Sequence, residues 1–148
     1  MLEIRNILVP VDFSDHAAEA LDHAVSLAKV LGARIHLLHC YAIRVGGVSP
    51  YGLVIPENLD REVRDAAVAK LGEWRAKVAA EGVEVEDSVT PLFPSEAIPT
   101  HAEQIGADLV VMGTRGLTGM KHVLLGSVAE RTIRLAPCPV LTVKKHSD

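Results

Sequence analysis

Two spacings of apolar residues alternate along the chain, one suited to strands and one to helices. "NILVPVD" near the start is short, apolar and partly β-branched, as a buried strand requires. In "FSDHAAEALDHAVSLAKVLG", which follows, Ala17, Leu21, Ala24, Ala28 and Leu31 keep helical spacing. Ser14 is placed as its N-cap, Asp15 suits the dipole in the first turn, and Gly32 is placed to stop the helix. "RIHLLHC" predicts a second strand. The stretch from Tyr41 to Pro56, rich in Gly and Pro and without periodicity, predicts a long loop.

The helical period returns at Asn58, with Leu59, Val63, Ala67, Leu71, Trp74 and Val78 on one stripe and Gly82 at its end. "VEVEDSV" alternates as a half-buried strand does. A shorter helix is expected from Ser95 to Gln104, with Pro99 obscuring its start. "DLVVM" predicts the fourth strand, "SVAERTIRLA" the last helix and "PCPVLTV" a fifth strand. Alternating strands and helices argue a mainly parallel sheet with right-handed crossovers and helices on both faces. The 148 residues suit a single domain, residues 1–148, with one sizeable core.

Composition narrows the function. Apolar residues make up 49% of the chain, yet only Phe13, Tyr41, Tyr51, Trp74 and Phe93 are aromatic. The core is therefore aliphatic, unlike the aromatic surface of a single-strand nucleic-acid reader. A formal charge of −4 argues against binding nucleic acid by phosphate neutralisation. No apolar run approaches the ~18 residues of a membrane span, and the start "MLEIRNILVPVDFS" lacks the pattern of a signal peptide. Cys40 and Cys138 form neither a disulfide framework nor a zinc set, and a cytoplasmic protein with two reduced thiols is expected.

Two strand ends carry unusual chemistry, and in an open parallel sheet ligands settle beyond such ends, where the strand order reverses. Asp12 lies between a buried strand and a capped helix. The segment "MGTRGLTGMKHVLLGS" leaves another strand with four glycines. Such glycines are expected to let backbone N–H groups approach an anion and to supply positive φ. Gly126-Ser127 opens a helix whose free N–H groups and dipole favour phosphate. Arg115, Lys121 and His122 would add charge at the loop tip. Neither a Walker loop nor a GxGxxG after the first strand is present. His36 and His39 fall on opposite faces of their strand, so they are not expected to chelate together. His16 and His23 are expected to be solvated, Trp74 to belong to the core, and Cys138 to act as a small buried hydrophobe.

The spacing Gly113-x2-Gly116-x9-Gly126-Ser127 resembles the nucleotide-binding signature of the universal stress protein family. "NILVPVDFS", "ADLVVMGTRG" and "LLGSVAERTIRLAPCPVLTV" resemble that family at the expected places, so the resemblance spans essentially the whole chain. It implies an adenine nucleotide alpha hydrolase-like α/β fold, with an open five-stranded parallel sheet of order 3-2-1-4-5. It also implies ATP, or ADP or AMP, in the cleft between strands 1 and 4, with magnesium or manganese. Carried over by position, Pro10, Val11 and Asp12 line the ribose and adenine side, with Asp12 reaching a ribose hydroxyl or a phosphate-bound metal. The Cys40 backbone meets adenine. Met112, Gly113 and Gly116 shape the ribose and phosphate floor, Arg115 joins the nucleotide-binding residues as a cation of the loop, and Gly126, Ser127 and Val128 contact the phosphates. A homodimer through the fifth strand is implied as well. The chain departs from the pattern at Leu92, where the family often has Gly, and at Pro99. The leading expectation is an ATP-binding stress-response module without rapid catalysis. The alternatives are a slow ATPase, with Asp12 holding a metal and Arg115 or Lys121 meeting phosphate, and a structural or signalling dimer with an empty cleft. The intact Gly-Ser signature weighs against the empty cleft.

Overall fold

The computed structural model describes residues 2–42, 57–116 and 125–146. Most of the expected loop before Pro56, and Lys121 and His122, lie outside these residues. The elements run β1 (Asn6–Pro10), α1 (Asp15–Leu31), β2 (Arg34–Cys40), α2 (Glu57–Ala80), β3 (Val85–Thr90), α3 (Pro94–Ile105), β4 (Leu109–Gly113), α4 (Ser127–Leu135) and β5 (Val140–Val143). All the strand pairings are parallel and the order is β3-β2-β1-β4-β5, as the resemblance implied.

Two apolar layers hold helices to the sheet. Ile7, Val9, Ile35, Leu37 and Val111 face α1 and α2, where the small buried side chains Ala17, Ala20, Ala24 and Ala28 let α1 lie close. Leu8, Leu38, Val110 and Met112 face the other way, against Ala97, Ile98 and Ala102 of α3 and Ala129 of α4. Each fully buried Leu, Ile or Val contributes about 1.5–3 kcal/mol to this packing. The faces alternate along β1 because successive side chains of a strand point to opposite sides.

Local chemistry sets the helix ends. Ser14 caps α1, its hydroxyl accepting the Ala17 N–H at 3.1 Å, and Gly32 ends it in the left-handed region at φ 67°. Two residues on the expected stripes are nevertheless exposed: Leu31 at 45% and Leu59 at 41%. Both sit at helix ends. A helix of 17 residues runs about 26 Å, whereas a five-residue strand covers about 17 Å, so helix ends overhang the sheet. The helix α3 begins at Pro94, one residue earlier than expected, and its C-cap is Gly106 at φ 63°. Pro94 fits the first turn, where no N–H is needed. Pro99 lies inside the helix, which continues past it.

Candidate functional site

The strand registers show where the sheet opens. β1 pairs with β4 only at Ile7↔Leu109 and Leu8↔Val110. Beyond those residues β1 stays with β2 as far as Pro10↔Leu38, and the Val11 N–H still donates to Leu38 O at 2.8 Å. β4 stays with β5 as far as Gly113↔Val143, and the Thr114 N–H donates to Val143 O. The two central strands therefore fork toward their carboxyl ends. The fork follows from the order itself, because each central strand has a different outer neighbour to follow.

Each branch of the fork carries predicted residues. On the β1 side Pro10 is half-buried and the Val11 side chain is core, so Val11 offers its main chain. Asp12 Oδ1 accepts the Ser14 N–H at 3.0 Å and the Ser14 hydroxyl, which ties the carboxylate to the start of α1. On the β4 side the Met112 side chain is buried in the α3–α4 layer, so it too can offer only its main chain. Val128 likewise packs against that layer. Cys40 stands apart at the end of β2, two residues beyond Leu38. Its thiol is pushed up to about 12 by burial, which leaves a main-chain role open and makes the sulfur unreactive.

The glycines bring the branches together by contact. A Cβ on Gly116 would stand 2.5 Å from Asp12 Oδ2, and one on Gly113 would stand 3.1 Å from both Cβ and O of His16. A Cβ on Gly126 would meet Thr114 O at 3.1 Å, the same oxygen that accepts the Gly126 N–H at 2.6 Å. The expectation that the loop glycines supply positive φ is wrong for Gly113, Gly116 and Gly126, while Gly119 lies outside the described residues. Positive φ occurs among the described glycines at Gly32, Gly82 and Gly106, each at or just past a helix end. Gly126 has φ −68° and ψ 159°, a conformation open to any residue. At these three positions another part of the chain crowds the space a side chain would fill, most tightly at Gly116.

Gly126 also settles what α4 presents. As N-cap it supplies no side-chain cap, and the Glu130 N–H closes the first turn on Gly126 O. The N–H groups of Ser127, Val128 and Ala129 therefore have no partner within the helix, and the helix dipole adds positive potential there. The Gly126 N–H itself donates to Thr114 O. The side chain of Ser127 is exposed.

Two buried nitrogens at the fork have no hydrogen-bond partner: Arg115 Nε and His16 Nδ1. The expectation that His16 is solvated fails, because its place in the first turn of α1 sets it against Gly113. That placement after the Ser14 cap was the signal available in the sequence. His23 is exposed as expected, with Nδ1–H donating to Glu19 O. His36 is buried between Asn6 and Glu86, on the opposite face from His39. Trp74 packs against the α1–α2 core, and Cys138 is half-buried against the other layer.

Unpartnered polar atoms and a cradle that a Cβ would fill both suit a bound polyanion. Among the described residues no three His, Cys, Asp or Glu side chains gather to hold a metal. A cation would therefore rest on the ligand's phosphates, with Asp12 as the acid at hand. Two other hollows, of about 310 Å³ between α2 and β3 and about 430 Å³ around Leu2, Leu31 and Arg34, lie away from the fork and gather no comparable chemistry.

Fold and fork together define a doubly wound α/β protein with a cleft at its switch point. The profile of the Universal stress protein family matches residues 3–144, and the chain belongs to that family. It is 42% identical to universal stress protein MJ0531 of Methanocaldococcus jannaschii, over 95% of this chain and 82% of that one. It superposes on the solved structure of MJ0577 from the same organism with a TM-score of 0.82 and 28% identity, covering 99% of each chain. A universal stress protein solved in complex with cAMP superposes with a TM-score of 0.72 and 25% identity, over 95% of this chain and 97% of that one.

Proposed function

We propose that this universal stress protein binds ATP, or ADP or AMP, in the fork between β1 and β4, with magnesium or manganese on the phosphates. The observation that carries this reading is the uncapped start of α4. It is anchored by Gly126 to Thr114 O, and Arg115, whose backbone lies against Gly113 and Gly126, has a buried Nε without a partner. The relative in complex with cAMP supports an adenine nucleotide. Pro10, Val11, Asp12 and the Cys40 main chain take the base and ribose side. Met112 and Gly113 take the floor, and Arg115, Gly116, Ser127 and Val128 the phosphate side.

The protein acts as a binding and signalling module of the cytoplasm rather than as a fast catalyst. Asp12 Oδ1 already accepts from the Ser14 amide and hydroxyl, which suits a carboxylate that holds rather than one that moves protons. The edge strand β5, with Leu141 at 40% exposure, supports a homodimer through that strand. Native mass spectrometry of freshly purified protein, with acid release of any bound nucleotide, tests the reading. Calorimetric titration should then show tighter binding of ATP than of GTP. Equal affinity for the two would remove the adenine pocket.

A further inference from the structure

Asp12 is flanked by two residues that a single imidazole holds. His39, on β2, has Nδ1 at 2.8 Å from Val11 O. A carbonyl can only accept, so Nδ1 carries the proton and donates it. The same ring stacks on Phe13, with centroids 4.3 Å apart and planes tilted by 33°. Val11 and Phe13 are the residues immediately before and after Asp12.

The Phe13 backbone shows that this grip carries a load. Its φ is 65°, and it is the one non-glycine residue with positive φ among the described residues. A bulky side chain adopts that conformation only where its surroundings over-determine it. Those surroundings are the His39 ring on one side, the Trp74 edge at 5.4 Å, and the Lys70 ammonium 5.0 Å from the ring centroid. The left-handed step at Phe13 lets the chain turn back so that the Ser14 amide and hydroxyl meet Asp12 Oδ1. It leaves Oδ2 against Gly116 across the fork.

We infer that His39 is the positioning residue for Asp12: its imidazole holds both chain neighbours of that carboxylate and so fixes where it stands in the nucleotide site. The part concerning the nucleotide rests on the function proposed above. Of the predicted ligand positions His39 touches Val11, through its carbonyl, and it reaches Asp12 only through the β1–α1 turn.

Two substitutions separate its contacts. His39→Asn places an amide N–H where Nδ1 stands and gives up the stacked ring, whereas His39→Leu keeps apolar bulk and gives up the donor. Amide hydrogen exchange on the intact protein reads the turn without any ligand. In His39→Leu the Ser14 amide should exchange several-fold faster, while the amides of Ile35 and Val110, bonded within the sheet to Glu84 O and Pro139 O, keep their protection. His39→Asn should recover part of the Ser14 protection. Unchanged Ser14 exchange in His39→Leu overturns the positioning role, whether or not nucleotide binds.

The second arm is a double-mutant cycle with magnesium-ATP as the probe. His39→Leu should weaken binding by roughly fivefold, the effect of losing one such hydrogen bond. In an Asp12→Ala background the same change should cost nothing further, since the residue it acts through is gone. Additive losses would mean that His39 serves the fold at large, and would overturn its link to Asp12. A wild-type protein that binds no nucleotide would defeat the proposed function, while the exchange arm would still decide the positioning role.

Discussion

Replacing Gly116 with alanine asks whether glycine is required at the fork by contact or by backbone freedom. The added Cβ would stand 2.5 Å from Asp12 Oδ2 and 3.7 Å from Cγ. Ordinary contact begins near 3.4 Å, so the carboxylate or the loop must retreat by about 0.9 Å. The carboxylate is not free to swing, because its other oxygen accepts from the Ser14 amide and hydroxyl. Moving it stretches both bonds, and a hydrogen bond to a charged group contributes about 1.5–3 kcal/mol. Partial exposure of the pair lets water replace much of that, so a destabilisation of about 1–2 kcal/mol is expected. For a domain of this size the Tm should fall by roughly 3–6 °C. Nucleotide affinity should drop at least about tenfold, or about 1.4 kcal/mol, because Asp12 and the loop it faces are displaced together.

The comparator is Gly126→Ala. Its Cβ would meet Thr114 O at 3.1 Å, a strain that a shift of a few tenths of an ångström relieves. With φ −68° the backbone accepts alanine, and the poorer N-capping of Ala than of Gly adds a cost of its own, so the loss should be about 1 kcal/mol, at the low end of that expected for Gly116→Ala. Thermal denaturation followed by circular dichroism gives the stabilities, and calorimetry with magnesium-ATP gives the affinities. A Gly116→Ala protein with wild-type Tm and affinity, or a larger stability loss for Gly126→Ala, would refute the contact argument.

Three further outcomes follow from the same geometry. Leu141→Lys places a charge on the exposed face of the β5 edge and should move the mass seen by light scattering from dimer toward monomer; a wild-type monomer at micromolar concentration removes the dimer. Hydrolysis of ATP by protein free of contaminating ATPases should run well below ~1 s⁻¹, the slow end for ordinary enzymes, and turnover above that would favour the enzyme alternative over the binding module. Burial holds His36 below its usual 6.5 despite the opposing pull of Glu86, and burial together with the charge of His36 lowers His101. The native chain then binds fewer protons than the unfolded one, so stability is full above 6.5 and is lost as pH falls through the lowered values. Melts between about pH 7 and pH 5 should show this loss, and a double His36→Gln, His101→Gln variant should show less of it; an equal slope in that variant assigns the loss to other groups.

Features that depend on a few adjacent residues were legible in the sequence. The strand at Arg34–Cys40, the helix at Ser127–Leu135, the Ser14 cap and the Gly32 stop all stand where local periodicity and capping chemistry placed them. Strand order was not legible from periodicity, because pairing of β1 with β4 joins residues about a hundred positions apart; it came from the resemblance. The exposure of Leu31 and Leu59 was hidden for a similar reason. A hydrophobic stripe says which face of a helix is apolar, but not where the sheet beneath it ends.

The site shows the same division at closer range. A sequence can show that glycines cluster after a strand, and positive φ is the local explanation for them. The actual cause lies in residues distant along the chain: Asp12 for Gly116, and His16 for Gly113. For Gly126 it is Thr114, across the loop. Nor does a sequence show that Val11 and Met112 spend their side chains on opposite core layers and leave only main chain at the fork. A cleft floored by main chain offers few side chains of its own, and Asp12 is the acid that stands at it, against Gly116. Where that carboxylate stands is set by its surroundings: Ser14 donates to it, His39 holds the residues on either side of it, and Gly116 leaves room for it.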